Sequence, residues 1–199
     1  MKKLLGFSIF LVFVLIASLT AEAKVTLPAI FSDNMVLQQN TQVNVWGKAA
    51  PGEKVTVKAS WLDKAVTAKA AANGKWTVKL KTPKAITNQS VTVSGENEIT
   101  INNVLIGEVW LCTGQSNMEF PVSRHPDVKW NTGMLNEVEE LKDADYPEIR
   151  LFHVKHQLAH EGELDDCEGE WLVCNPKNLY DFSAVGFVFG RKLYKELKM

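Results

Sequence analysis

The chain has 199 residues, which as a prior means one or two domains. It is 46% hydrophobic and 23% charged, ordinary for a soluble globular protein, and a formal net charge of -1 gives no reason to expect a nucleic-acid partner. The charge is unevenly spread. Lys24 to Leu105 carries ten Lys/Arg against five Asp/Glu, and Ile106 to Met199 carries ten against seventeen, a contrast that supports two compositional units with solvated surfaces.

Residues 1–23 read as a targeting segment. Lys2 and Lys3 form a positive start, Leu4 to Leu19 is almost wholly apolar, and Ala21-Glu22-Ala23 is a small-residue cleavage signal. The alternative is a transmembrane anchor, but the apolar run is shorter than the roughly 20 residues a span needs. The expectation is cleavage after Ala23 and export to the periplasm or beyond. No Cys stands at the cleavage point to carry a lipid and no other stretch is long enough to span, so no membrane association is expected after cleavage.

From Lys24 to Ile101 the pattern is short strands. Val55 to Ala59, Trp76 to Leu80 and Val91 to Val93 alternate with period two, as half-buried strands do. Pro51-Gly52, Asn73-Gly74, Pro83 and Ser94-Gly95 punctuate them. Asn73-Gly74 is expected at a hairpin tip, since a type I′ turn needs positive φ at both central residues. Residues 24–105 are therefore expected to form an all-β sandwich.

The pattern changes near Val104. Val104 to Cys112 is nearly continuously apolar and predicts a strand buried on both faces, as in a parallel sheet. A loop-rich acidic stretch runs on to Tyr146. Glu148 to Val154 alternates and predicts a strand. Polar sequence from Lys155 to Glu170 follows. Phe182 to Leu197 then predicts a helix, with Ser183 as N-cap and Val185, Phe189, Leu193 and Leu197 as its apolar stripe. Strand, loop, strand and helix open an α/β domain over residues 106–199. Two strands and one long helix leave such a sheet incomplete, so the domain is expected to be truncated. Cys112, Cys167 and Cys174 are odd in number. Cys167 and Cys174 could pair across a tight loop, and Cys112 is expected as a small buried hydrophobe.

The segment with chemistry in it is Gly107 to Met118. A buried strand ends, and Ser116 follows within a turn that carries Gly114. A Ser there is exposed in the crevice beyond the strand ends, and its backbone N–H can donate to the oxyanion of an acyl-transfer intermediate. The pattern departs from the G-x-S-x-G elbow, because Met118 occupies the second Gly position. Taken alone, a Ser in such a turn is more often a turn residue or cap.

The string GEVWLCTGQSNMEFP closely resembles the nucleophile block of sialate O-acetylesterases and related SGNH-type carbohydrate esterases. Leu27 to Gln38 resembles the opening of that family's N-terminal β-domain, and Trp171 to Cys174 with Phe182 to Arg191 resembles its first long helix. The resemblance implies a multi-domain fold: an all-β sandwich followed by the first part of a three-layer α/β domain. It implies that Ser116 is the nucleophile and one backbone oxyanion donor. Gln115 and Asn117 beside it are the candidate binding residues. The implied substrate is an O-acetylated carbohydrate such as sialic acid, and no metal or organic cofactor is implied. The family's further oxyanion Gly and Asn, and its Asp-x-x-His block, lie in later sequence. No Asp-x-x-His occurs in this chain.

The remaining candidates have plain readings. His125, His153, His156 and His160 match no part of that His block. His156 and His160 have i, i+4 spacing, but there is no third ligand, so no metal site is expected. Asn117, Met118 and Glu119 also suit packing or capping of the turn. Arg124 suits an acidic sugar or plain solvation. Trp46, Trp61 and Trp76 suit a sugar-stacking platform or, more often at strand spacing, a core. Asn88-Gln89-Ser90 is a glycosylation sequon only in a host that modifies exported proteins. The competing functional class is a carbohydrate-binding sandwich with a non-catalytic remnant attached.

Overall fold

The computed structural model describes residues 24–127, 133–160 and 162–198. The leader read over residues 1–23 lies outside them. Seven strands come first: β1 (Val36–Gln38), β2 (Gln42–Lys48), β3 (Lys54–Ala59), β4 (Val66–Lys69), β5 (Lys75–Lys81), β6 (Ile86–Ser94) and β7 (Glu98–Gly107). One sheet has the order β1-β7-β6-β3-β4, and β2 and β5 form a separate antiparallel ribbon. Alternation explains the packing. Trp76, Val78 and Leu80 of β5 are buried while Lys75, Thr77, Lys79 and Lys81 face solvent. Val45, Val55, Val57, Val91, Val93 and Ile101 close the core from the other strands, each contributing about 1.5–3 kcal/mol when fully buried.

The Asn73-Gly74 turn is tight but differs from the expected geometry. Gly74 N–H donates to the Ala71 carbonyl at 2.9 Å, and Ala71 N–H to the Lys75 carbonyl at 2.9 Å. Only Gly74 has a positive φ, +77°, so this is a turn closed by a glycine bulge and not a type I′ pair. Its flanking strands also part company: β4 pairs with β3, and β5 with β2. The dipeptide links two sheets and does not cap one ladder.

The strand expected over Val104 to Cys112 is also corrected. Val104, Leu105 and Ile106 are the buried end of β7, antiparallel to β6 and parallel to β1, with Leu105 opposite Val36. Three consecutive buried residues reflect cover on both faces, as the apolar run suggested, and Val104 belongs to the core of the first seven strands. After Gly107 the chain leaves the sheet. Val109, Trp110 and Leu111 are exposed, and so is Cys112, against the expectation of burial.

The second unit contains α1 (Ser116–Glu119), α2 (Glu137–Lys142), β8 (Tyr146–Phe152), β9 (Trp171–Cys174), α3 (Pro176–Leu179) and α4 (Ala184–Leu197). β8 is the strand expected near Glu148. Its partner β9 is antiparallel, so among the described residues this unit holds a hairpin and no parallel sheet. Cys167 and Cys174 are both free thiols, the second buried. The described protein is thus mostly β sheet with few helices. A second core forms from Val122, Ala144, Leu151, Cys174, Leu179, Ala184 and Phe187.

Ser183 caps α4 as expected, its hydroxyl accepting from Gly186 N–H at 3.1 Å. The stripe was misplaced. Ala184, Gly186 and Phe187 are the buried residues, while Val185, Phe189 and Leu197 are exposed. The period locates an apolar stripe without saying which neighbour covers it, and a two-stranded hairpin covers little of the helix.

Arg191 of α4 holds Glu140 of α2 through both guanidinium nitrogens, Nη2 donating to Oε1 at 3.1 Å, and lies 4.9 Å above the Phe187 ring. The side chains are only 20% and 11% exposed. The hydrogen bond from Arg191 holds the Glu140 carboxyl below its ordinary value, against an opposing upward push from burial. A depressed carboxyl contributes stability that is present above its unfolded pKa and is lost as pH falls through the folded one. Glu140→Gln is therefore expected to lower stability at pH 7 by on the order of 2 kcal/mol. Urea melts should show that difference shrinking as the pH falls below the ordinary Glu range.

Candidate active site

The approach to Ser116 begins where the chain leaves the sandwich. Glu108 accepts from Gln39 Nε2 at 2.8 Å and from Gln38 Nε2 at 3.1 Å, and these two bonds, Gln39 first, hold its carboxyl below the ordinary value. Val109 N–H donates to Gln38 Oε1 at 2.9 Å. Trp110 then meets Phe189 of α4 edge to face, with ring centroids 5.3 Å apart. The segment from 108 to 115 has no regular structure, yet it is tied to β1 at one end and to α4 in the middle.

Ser116 opens α1. The Gln115 carbonyl accepts from Met118 N–H at 2.8 Å and from Glu119 N–H at 3.1 Å, which closes the turn. Gly114 packs close by: a Cβ there would lie 3.2 Å from Met118 Cβ, a tight contact. The N–H groups of Ser116 and Asn117 have no acceptor among the described residues. They are the orphan donors that a helix start leaves free.

The turn is sutured to the start of α4. Pro121 bridges Ser183, Val122 N–H donates to the Phe182 carbonyl at 3.0 Å, Ser123 N–H to the Tyr180 carbonyl at 3.1 Å, and Ala184 N–H to the Phe120 carbonyl at 2.8 Å. Ser183 works on both sides, since its hydroxyl also donates to Met118 Sδ at 3.4 Å. Val122 and Ser123 are buried beneath. The result is an exposed Ser on a supported turn.

Ser116, Gln115 and Asn117 are all exposed, and none of their side chains makes a hydrogen bond among the described residues. The histidines lie elsewhere in their contacts. His125 Nε2 is 2.9 Å from Asp181 Oδ1 and its ring meets Tyr180. His156 Nε2 is 3.5 Å from Glu119 Oε1, and His153 rests against Phe182. His156 therefore reaches the helix of Ser116 but not the serine. Residues 153–159 are not helical, so the spacing of His156 and His160 brings no shared face. Trp76 is buried, Trp61 packs on the core with Nε1 donating to the Lys81 carbonyl, and Trp46 is 40% exposed.

Among solved structures the chain resembles a carbohydrate acetylesterase from Xanthomonas citri, with a TM-score of 0.77 and 30% identity over 88% of this chain and 38% of that one. Among curated proteins it is 31% identical to mouse sialate O-acetylesterase over 190 residues, 85% of this chain and 33% of the relative. The human sialate O-acetylesterase is 29% identical over 186 residues. No protein-family model matches. The chain is thus a relative of the carbohydrate acetylesterases. More narrowly, it is related to the sialate O-acetylesterases and spans about a third of their length.

Sequence reasoning missed the supports: Gln38, Gln39, Glu108 and the second task of Ser183. A Gln-Gln-Asn run at a strand end reads as turn polarity, and only the fold shows that both glutamines converge on one carboxylate.

Thiol exposure checks this geometry. Burial pushes the Cys174 thiol up to about 11, with Arg191 opposing, whereas Cys112 stands in solvent four residues before Ser116. In the native protein an aromatic disulfide reagent is expected to react fastest with one thiol, Cys112, with half-buried Cys167 slower and Cys174 silent until denaturant is added. The fast phase should vanish in Cys112→Ser. A fast phase that survives would place Cys112 inside.

Proposed function

We propose that this chain carries the nucleophile of a serine esterase that removes O-acetyl groups from a carbohydrate such as sialic acid, with Ser116 as that nucleophile. One observation carries the reading: Ser116 sits exposed at the first position of a supported turn whose Ser116 and Asn117 N–H groups meet no acceptor among the described residues. Ser116 Oγ attacks the acetyl carbonyl and loses its proton to a base. The Ser116 N–H helps to hold the oxyanion. The sugar alkoxide leaves with a proton, and water releases acetate from the acetyl-serine. Gln115 and Asn117 flank the acyl group. Written this way the chemistry calls on no cofactor. The reading keeps the protein exported, on the strength of the leader in residues 1–23.

No histidine reaches Ser116 among the described residues, and a serine without a base is a poor nucleophile. On this reading residues 106–199 are the first part of a three-layer α/β domain of SGNH type. The exposed apolar residues support it: Val109, Trp110 and Leu111 before the Ser turn, and Val185, Val188 and Phe189 on α4. Such a surface suits further polypeptide, and the relatives are about three times as long.

Hydrolysis of nitrophenyl acetate tests this. The 199-residue chain is expected to stay at the uncatalysed rate. A chimera in which the Xanthomonas enzyme supplies the remaining sequence is expected to turn over. In that chimera Ser116→Ala should bring the rate to within about 10³–10⁴ of water. An active chimera indifferent to Ser116→Ala would remove the nucleophile assignment. Activity in the short chain that disappears in both Ser116→Ala and His156→Ala would give the base a local identity and overturn the missing-base reading.

A further inference from the structure

The β2–β5 ribbon has one face in the core and one in solvent. Its register places Gln42 opposite Lys81, Asn44 opposite Lys79, Trp46 opposite Thr77, and Lys48 opposite Lys75. All eight of these residues are exposed, and seven are polar. Trp46 is the exception. It stands in the middle of the face at 40% exposure, its ring braced edge-on by Phe31 at 4.6 Å. The other two ribbon-side tryptophans show how differently this residue is otherwise used here: Trp76 is 3% exposed, and Trp61 packs on the core with its N–H satisfied.

The charge on this face is lopsided. Lys48 and Lys75 share one carboxylate, Asp165, at 3.2 and 2.7 Å. Among the described residues no carboxylate pairs with Lys79 or Lys81. Lys75 and Lys79 are the diagonal neighbours of Trp46 across the ribbon, about 7–8 Å away by strand geometry, with Asn44 and Lys48 two residues along its own strand. A braced indole offers a flat apolar surface to the C–H face of a sugar ring, and amide, hydroxyl and ammonium groups around it suit hydroxyls and carboxylates.

We propose that this face, centred on Trp46 with Lys79 and Lys81, binds an acidic polysaccharide. The occupant is a carboxylated glycan chain laid across the ribbon, one ring on Trp46 and its carboxylates on the unpaired lysines. The identification of a sugar rests on the esterase reading above. The surface lies on the β2–β5 ribbon and not on the turn that carries Ser116, so it is assigned to attachment of the polymer and not to hydrolysis.

Native gel electrophoresis of the full chain with embedded polygalacturonate tests it, with neutral galactomannan and polyglutamate as parallel gels. Retardation by polygalacturonate alone is expected. Trp46→Ala should weaken it at least about tenfold, Trp46→Phe should retain most of it, and Lys79→Glu with Lys81→Glu should abolish it. Both lysines are exposed, so that variant reads binding even if Trp46→Ala unfolds. No retardation in any gel would overturn the proposal. Equal retardation by polyglutamate, insensitive to Trp46→Phe and Lys79→Glu alike, would do the same, and equal retardation by galactomannan would overturn the acidic class. The gel reads binding without hydrolysis, so a failed esterase assay leaves this outcome intact.

Discussion

The pairing of residues 120–123 with residues 180–184 is the constraint on which the site depends. Three backbone hydrogen bonds cross it, and all three run from buried residues, Val122, Ser123 and Ala184. A short helix of four residues is not stable by itself. α1 exists because the chain immediately after it is fastened to the start of α4, and because the Ser183 hydroxyl caps α4 and touches Met118 at once. Losing the suture would leave Ser116 on an ordinary loop, and a misplacement of about 1 Å is enough to cost an active site about 10²-fold.

The sandwich contributes to the same end from the other side. Glu108, held by Gln38 and Gln39, fixes the departure of the chain from β7. The long loop before β9 is fastened back onto the sandwich. Asp165 reaches Lys48 and Lys75, Asp166 accepts from Ala29 N–H, and Trp171 Nε1 donates to the Ile30 carbonyl at 2.8 Å. Arg150 of β8 reaches Asn103 of β7 at 3.2 Å. These exposed polar contacts are individually weak, but they join the two cores along one side. The acidic second unit thus meets the lysine-rich first, which gives the uneven charge along the chain a partial structural use.

What was legible in the sequence follows from what local pattern contains. β3, β5 and β6 and the Ser183 cap were visible because period two and capping chemistry are local. β8 was visible for the same reason. The end of β7 was misassigned because an apolar run reports double-sided burial without naming the sheet that provides it. The α4 stripe failed similarly, since Val185 and Phe189 have the right spacing but stay exposed, Phe189 with only the Trp110 ring against it. α2 went unseen in an acidic stretch, because its holds on the fold are with residues distant in sequence: the Arg191–Glu140 pair, 51 residues apart, the Arg124 N–H that donates to the Glu137 carboxylate, and Leu141 packed on the second core. The Ser turn itself was legible only through its resemblance to known esterases. Its supports were not legible at all, because they are convergences of distant residues.

Amide hydrogen exchange on the intact chain tests the central claim most directly. That claim is that the turn carrying Ser116, the proposed nucleophile, is held from below while no described residue occupies its own donors. The amides of Val122, Ser123 and Ala184 are expected to be strongly protected, and those of Ser116 and Asn117 to exchange near the rate of an open chain. Fast exchange at Val122 and Ala184 would show that the suture does not form. Protection at Ser116 would show that its donor is already engaged, and either result would contradict the account.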